Sequence, residues 1–594
     1  MTKHHKIIAL VIIVVALILE VTSVWNDAPI VDEIPHIGSG YSYITKGDFR
    51  LNPEHPPLAK DLAGIALQFL HLKQGVFDTQ YWTQDLNGQW NFGRNLIFNS
   101  GNDAIKIAHA AKAPMFIFFI LSAVIIFIWA GELGGPMAGL IALFLFSFSP
   151  TVMAHSRFVT TDVPALFGVL LATYFFIKFL KKPDYKNLLI AGLAFGVAQL
   201  TKFSLFLLIP YFGVLALAYG WLNAHNSRIK HAIHYGFLSV MIMIVGYVLI
   251  VWPVYGLHTM NYPPERQKSD TISLLSSYGN RNYADRITEL SDKPIIRPMA
   301  QYGLGVLLVT QRSIGGNTTY FLGEVKQQAW KKYFPIVYFI KEPLAFWALL
   351  LIVMITTMSK FKVKSLKLKV WVRDNFDKFA MLLWLAIYWY VSIKANLNIG
   401  VRHLMPIYGF TYILLAEPIA GLLKHNKERG KKWFMILLVA LFGWYLAENI
   451  LIYPYYLTYF NQAAGGPSGG HNYVVDSNLD WGQDAKRLAD WLKKNNIQDK
   501  VYLDYFGWTD PGYYYPNKYL WLYAGKYKSV RDFLDENPKG GWLAVSASFY
   551  MGSREKPETS YAWLESIKPA TVIGNSIFVW YLSDTDLIPP QTPY

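Results

Sequence analysis

The chain has 594 residues, of which 53% are hydrophobic and only 16% charged, and its mean hydropathy is +0.23. That balance excludes a soluble protein and places the chain among multispanning membrane proteins. Cysteine is absent, which removes disulfides, thiolate metal sites and a cysteine nucleophile. The formal charge of +15 is a nucleic-acid footprint only if it gathers on a soluble face, so its placement matters more than its size.

Residues 1–6 are short and basic, and 7–25 are apolar apart from Glu20 and a few small polar residues. That length can cross a hydrocarbon core of roughly 30 Å. No small-residue cleavage site follows, so we read an uncleaved first helix with a cytoplasmic N-terminus. Next comes the stretch that organises the chain, VDEIPHIGSGYSYITKGDFRLNPEHPPLAK at 31–60, which packs Asp32, Glu33, His36, Asp48, Arg50, Glu54 and His55 into an aromatic, Gly- and Pro-punctuated segment. Residues 62–70 are short and amphipathic, suited to lie at the interface. Apolar runs follow at 113–130, 137–153, 163–180, 188–200, 203–221, 235–255, 335–357, 379–393, 404–423 and 433–452, for a total of about eleven spans.

Short cytoplasmic loops carry an excess of Lys and Arg. With the N-terminus inside, the inner loops hold Lys178, Lys181 and Lys182, then Arg228 and Lys230, then Lys360, Lys362, Lys364, Lys367 and Lys369, and finally Lys424, Lys427, Arg429, Lys431 and Lys432. The positive charge is therefore topology, and no nucleic-acid partner is expected. The outer segments are the 31–60 stretch, the 155–162 turn, the long 258–332 loop, the 395–403 turn and everything after 453. The expected division is a membrane domain at 1–453, with extracytoplasmic loops at 26–112 and 258–332, and a small extracytoplasmic α/β domain at 454–594. In the latter, 481–495 has helical periodicity, and 501–506, 542–546 and 571–582 read as strands.

The outer turns hold most of the unusual polar residues. HSRFVTTDVP at 155–164 sets Arg157 and Asp162 at the mouth of one span, and ANLNIGVRHLMP at 395–406 sets Arg402 and His403 at another. Lys341, in YFIKEPLAF, lies inside an apolar segment, where a lysine is costly unless it is paired or faces a water-filled cavity. No P-loop, dinucleotide fingerprint, His-Glu-x-x-His or Gly-x-Ser-x-Gly pattern competes. Carboxylates and isolated cations at one membrane face suit a substrate whose anionic group sits at headgroup level, and a lipid phosphate is the obvious candidate.

HIGSGYSY, GDFRLNPEHPPLAK, HSRFVTTDVP, GLAFGVAQLTKFS, YFLGE, YFPIVYFIKEPL, NIGVRHLMP, YFNQAAGGPSGG and DSNLDWGQD, in this order, resemble the family 39 glycosyltransferases, the group that includes protein O-mannosyltransferases and lipid A aminoarabinose transferases. The resemblance covers nearly the whole chain. It implies an α-helical polytopic fold of the GT-C type in a prokaryotic plasma membrane, using a polyprenyl-phosphate-linked sugar, hexosyl or pentosyl, on the extracytoplasmic face. By matching motif, Asp32 is the candidate base with Glu33 its neighbour. Arg157 and Asp162 fall on the family's Arg-x-x-x-x-Asp pattern, and His55, with Glu54 beside it, on its His-Pro-Pro motif. Lys202, Lys341, Arg402 and His403 fall on further family positions. Arg157, Lys202, Lys341 and Arg402 are then expected to bind the donor phosphate, and Glu54, His55 and His403 to line the substrate cavity.

The chemistry of those residue types agrees. Displacement at an anomeric carbon needs a carboxylate to take the acceptor proton on one face, and fixed cations to meet the departing phosphate on the other. A single displacement inverts configuration. No cofactor is required on this scheme, although paired carboxylates leave a divalent cation open. Membrane lipids are expected partners. The 258–332 loop is too short for the β-trefoil of eukaryotic O-mannosyltransferases, so the acceptor stays open; it holds instead Arg297, Gln311, Arg312 and the polar run 315–320, suited to a lid or acceptor contacts. A lipid-linked sugar flippase, a non-catalytic lipid-binding protein and a polymerase using lipid-linked oligosaccharides are the alternatives. The flippase is disfavoured because the charges gather at one face and no repeat is visible.

Overall fold

The computed structural model describes residues 2–224, 227–363, 368–428, 430 and 432–587. Four of the basic loop positions, Lys364, Lys367, Arg429 and Lys431, lie outside the described residues. Among those described, eight helices are long and apolar enough to cross a membrane, or up to ten if two bent pairs each form one span. The run expected at 188–200 is the 15-residue helix Tyr185–Gln199, about 22 Å long at 1.5 Å per residue and so short of the hydrocarbon thickness. It packs beside Asp162–Lys181, the most buried of the spans.

The run expected as one span at 335–357 is broken. Tyr333–Lys341 and Leu344–Thr357 meet at 108°, because Pro343 forces Glu342 out of the helical region to φ −107°, ψ 142°. Pro136–Ser147 and Pro150–Ser156 meet at 64°, and the Ser149 hydroxyl caps the second helix by accepting from the Val152 amide at 3.3 Å.

The 31–60 stretch is not a loose loop. Glu33–Lys46 is a helix buried along most of its length, ended by Gly47 at φ 62°, and Leu58–Gln68 packs across it. The two helices touch at glycines: a Cβ on Gly40 would stand 2.0 Å from the Lys60 carbonyl oxygen, and one on Gly64 2.1 Å from that of Gly40. The small residues of HIGSGYSY are thus the condition for close helix contact. The 258–332 loop is ordered too, as helices Pro264–Leu274, Arg281–Leu290 and Arg297–Gly315, followed by a hairpin of β1 (Thr319–Phe321) and β2 (Glu324–Lys326).

The C-terminal unit is a five-stranded mixed sheet. Its strands are β3 (Val501–Asp504), β4 (Tyr519–Trp521), β5 (Gly541–Ser546), β6 (Thr571–Ile573) and β7 (Ile577–Leu582), in the order β4-β3-β5-β7-β6. The segment expected as one strand at 571–582 is the β6–β7 hairpin, turned by Gly574 at φ 58° and Asn575 at φ 61°. Helix Ala485–Lys494 buries Leu488 and Leu492 on one face, as its periodicity implies.

Candidate active site

Chain reversals bring the C-terminal end of Lys3–Ser23, the N-terminal ends of Asp162–Lys181 and Val401–Lys427, and Lys202 to one pole of the helical bundle. The C-terminal unit closes over that pole. A cavity of about 370 Å³ lies between them, lined by Asp32, His36, Glu54, His55, Lys202, Arg312, Arg402, His403 and Asp476, with Trp90, Tyr388, Trp481, Phe506 and Trp508 among its aromatic residues.

The acidic pair splits. Successive residues entering a helix point roughly 100° apart, and Asp32, immediately before Glu33–Lys46, faces the cavity with its side chain 23% exposed and Oδ2 accepting from Arg402 at 2.8 Å. Glu33 is fully buried on the other side. Its oxygens accept from the amides of Ile30 (3.0 Å) and Val159 (2.9 Å), and Lys112 lies at 3.2 Å. It knits the loop together and does not line the cavity, contrary to the expected catalytic placement.

Arg402 is the hub. Its Nη1 meets Asp32 at 2.8 Å and Asp162 at 3.5 Å, its Nε donates to Ser477 Oγ at 3.0 Å, and its guanidinium lies 4.2 Å from the centre of the Trp481 ring. Asp162 is wholly buried behind the cavity wall and also accepts from Lys202 at 2.6 Å. Its place is to hold two cations, not to touch a substrate. Arg312, in contrast, lines the cavity on an exposed position of Arg297–Gly315 and has no ion-pair partner among the described residues.

Two expected phosphate ligands do not reach the cavity. Arg157 is buried, pairing with Asp27 at 3.0 Å and Ser23 Oγ at 3.1 Å, and Asp27 is shared with Arg487 at 2.5 Å. Lys341 donates to the carbonyls of Leu457 (2.8 Å) and Asn478 (2.7 Å) and lies over Phe460. Both cations are consumed by the junction between the bundle and the 457–487 segment.

Glu54, His55 and His403 line the cavity. Glu54 accepts from Gln89 at 2.6 Å and Asn87 at 3.3 Å. His36 Nδ1 donates to the Val159 carbonyl at 2.7 Å and stacks edge-on against His55 at 5.0 Å. Burial holds the pKa of His36 below, and that of His55 well below, the usual histidine value. Nδ1 of His55 and Nε2 of His403 are buried and have no hydrogen-bond partner among the described residues. Lys60, the last residue of EHPPLAK, is buried and donates to Tyr43, Asn52 and the His55 carbonyl at 2.8–2.9 Å. It fixes the turn, and burial pulls its pKa down to about 7.

Sequence reasoning missed Asp476 and Trp481, named His36 without a role, and gave Arg312 to a lid or acceptor contacts. The polar density of DSNLDWGQD was the available signal for the first two. Burial pushes the Asp476 carboxyl up to about 6 against the pull of Arg402. No group of three or more His, Asp or Glu placed to hold a metal ion occurs among the described residues.

Residues 104–252 match the family model described as dolichyl-phosphate-mannose-protein mannosyltransferase. Dolichyl-phosphate-mannose–protein mannosyltransferase 1 of Saccharomyces cerevisiae is 25% identical over 226 residues, which span 37% of this chain and 25% of that protein. These matches bear out the resemblance to family 39 glycosyltransferases. Asp162 and Lys202 lie inside the family match, whereas Asp32 and Arg402 lie outside it. Among solved structures, ArnT from Cupriavidus metallidurans bound to undecaprenyl phosphate aligns over 98% of this chain and 99% of its own at 12% identity, TM-score 0.45. The Archaeoglobus fulgidus oligosaccharyltransferase AglB, in complex with an inhibitory peptide and a dolichol-phosphate, aligns over 99% and 75% at 12% identity, TM-score 0.46.

Proposed function

We propose that this chain is an inverting glycosyltransferase that moves a sugar from a polyprenyl-phosphate carrier to an acceptor at the extracytoplasmic membrane face. The observation that carries the reading is one cavity holding a partly exposed carboxylate, Asp32, and the cations Lys202, Arg312 and Arg402. Arg402 occupies Oδ2 of Asp32, and Oδ1 takes no hydrogen bond among the described residues, which suits it to accept the proton of an incoming hydroxyl. The phosphate departs on the opposite face of the sugar, where Lys202 and Arg312 meet its growing charge. Leu207, Val309, Phe334 and Val391 from the neighbouring helices supply an apolar wall for the prenyl chain.

The distribution of charge supports the extracytoplasmic face. The cavity pole is opposite the loops that carry Lys178, Lys181 and Lys182, Arg228 and Lys230, and Lys424 and Lys427, and short basic loops stay in the cytoplasm. The family match supports the donor class.

The test is transfer of radiolabelled sugar from synthetic polyprenyl-phosphate monosaccharides to a membrane extract, comparing wild type with Asp32→Asn. Transfer by the wild type and its collapse in the variant, with carrier binding retained, support the reading. Full activity in Asp32→Asn removes Asp32 as base. Carrier binding without transfer in either protein favours a flippase or a lipid-binding scaffold.

A further inference from the structure

We infer that Glu54, Gln89, Trp90 and Trp508 form a saccharide-binding subsite on the acceptor side of Asp32, so that the acceptor is a carbohydrate ring. The inference rests on the glycosyl-transfer reading above and adds the class of the second substrate.

The cavity is built from two sets of elements. Lys202, Arg312 and Arg402 all come from the helix ends and the 258–332 loop, together with the apolar wall. The lining residues of the first loop and of the C-terminal unit include no lysine or arginine. An anionic group therefore has its partners in the first set, and a neutral ligand rich in hydroxyls fits the second.

Within that second set, Trp90 and Trp508 come from opposite ends of the chain and stack with ring centres 5.0 Å apart and planes 30° apart. Both line the cavity, and Trp508 is 36% exposed. Stacking one ring on the other fixes each, and a fixed indole face is a platform for the C–H face of a pyranose. The Trp508 loop is pinned beside the base, because the Thr509 hydroxyl donates to the Pro29 carbonyl at 2.7 Å, three residues before Asp32.

The polar partners are equally fixed. Lys60 donates to Asn52 Oδ1, Asn52 donates to Gln89, Gln89 donates to Glu54 at 2.6 Å, and Asn87 donates to the other Glu54 oxygen at 3.3 Å. Each carboxylate oxygen keeps a lone pair for a hydroxyl donor. An extended peptide would seek a strand edge, and none of the segments carrying these residues is a strand.

Isothermal titration of the purified full-length protein with methyl α-mannoside, maltotriose, cellotriose and a Ser/Thr-containing hexapeptide tests this. We expect at least one saccharide to bind, about tenfold more weakly to Trp508→Ala and Glu54→Gln and near wild type to Trp508→Phe, as expected for loss of one anchoring contact. Undecaprenyl phosphate should bind Trp508→Ala as it binds wild type, which also reports folding. The inference is overturned if no saccharide binds, if only the hexapeptide binds, or if Trp508→Ala keeps full saccharide affinity. Displacement of the saccharide by a non-hydrolysable polyprenyl-phosphate sugar would assign the subsite to the donor sugar and overturn the acceptor assignment. If Asp32→Asn retains transfer, the catalytic reading fails while these affinities stand.

Discussion

Asp32 and Glu33 are adjacent in the chain and serve different ends: Arg402 meets Asp32 on the cavity at 2.8 Å, while Glu33 is sealed among Lys112 and the amides of Ile30 and Val159. Asp32→Asn should lower the transfer rate by about 10²–10⁴, the range of a lost general base, and lower the thermal midpoint much less than loss of Glu33 does, because Arg402 keeps Asp162 as a second partner. Glu33→Gln should do the reverse. Stripping the partner from buried Lys112 costs about 3–5 kcal/mol, seen in unfolding rather than in the residual kcat of folded protein.

Arg402→Lys should be no conservative change. A lysine offers a point charge where the guanidinium spans Asp32, Asp162 and Ser477 and stacks on Trp481. We expect kcat/KM to fall by about 10², the scale of one lost transition-state donor. Near-wild-type kinetics would show that the fork is not used.

Arg312→Ala should raise the donor KM by about tenfold, the loss of one charge-assisted contact, with no change in stability, because Arg312 has no ion-pair partner to leave behind among the described residues. The wild-type KM should rise with salt more steeply than that of the variant, since the contact is exposed to screening.

The Asp476 carboxyl, pushed up to about 6 by burial, gives a pH signature. Its ordinary value is about 3.9, so between about pH 4 and 6 the folded state holds more protons than the unfolded one. The stabilising contribution is complete at low pH and is lost as pH rises through about 6. Over the same interval a new anion appears beside Arg402 and Asp32, and donor affinity should fall. Asp476→Asn should flatten both profiles, and an unchanged inflection in that variant would assign it elsewhere.

Transfer should survive dialysis against EDTA, because Lys202, Arg312 and Arg402 can neutralise the leaving phosphate between them. Activity lost to EDTA and restored by Mg²⁺ or Mn²⁺ would return a divalent ion to the mechanism.

The spans were legible because hydrophobic length is a one-dimensional property, and the pole carrying the site followed from where Lys and Arg fall. The break at Pro343 was written in the sequence but was masked by the apolar run around it. Side-chain direction was not legible. Asp32 and Glu33 share a motif, as do Arg157 and Asp162, and only packing shows that Glu33, Arg157 and Lys341 are taken by buried partners. Arg312 could be named from the sequence as a lid or acceptor contact, but its place in one cavity with Lys202 and Arg402 became visible only once Arg297–Gly315 was seen to border it.

The first and last portions of the chain are laced together. The amides of Ala28 and Val31 donate to the carbonyls of Gln483 and Trp481, and Arg487 reaches Asp27 across 460 positions of sequence. The C-terminal unit must therefore be made before the segment around Asp32 is clamped and Arg402 is backed by Trp481. Until then a half-made protein holds its helices and its lipid wall but no finished reaction centre. Closing so long a loop is slow and comes late. Maturation of activity should therefore lag insertion of the helices, so a pulse-labelled cell would contain integrated, protease-sensitive, inactive chains before it contains working enzyme.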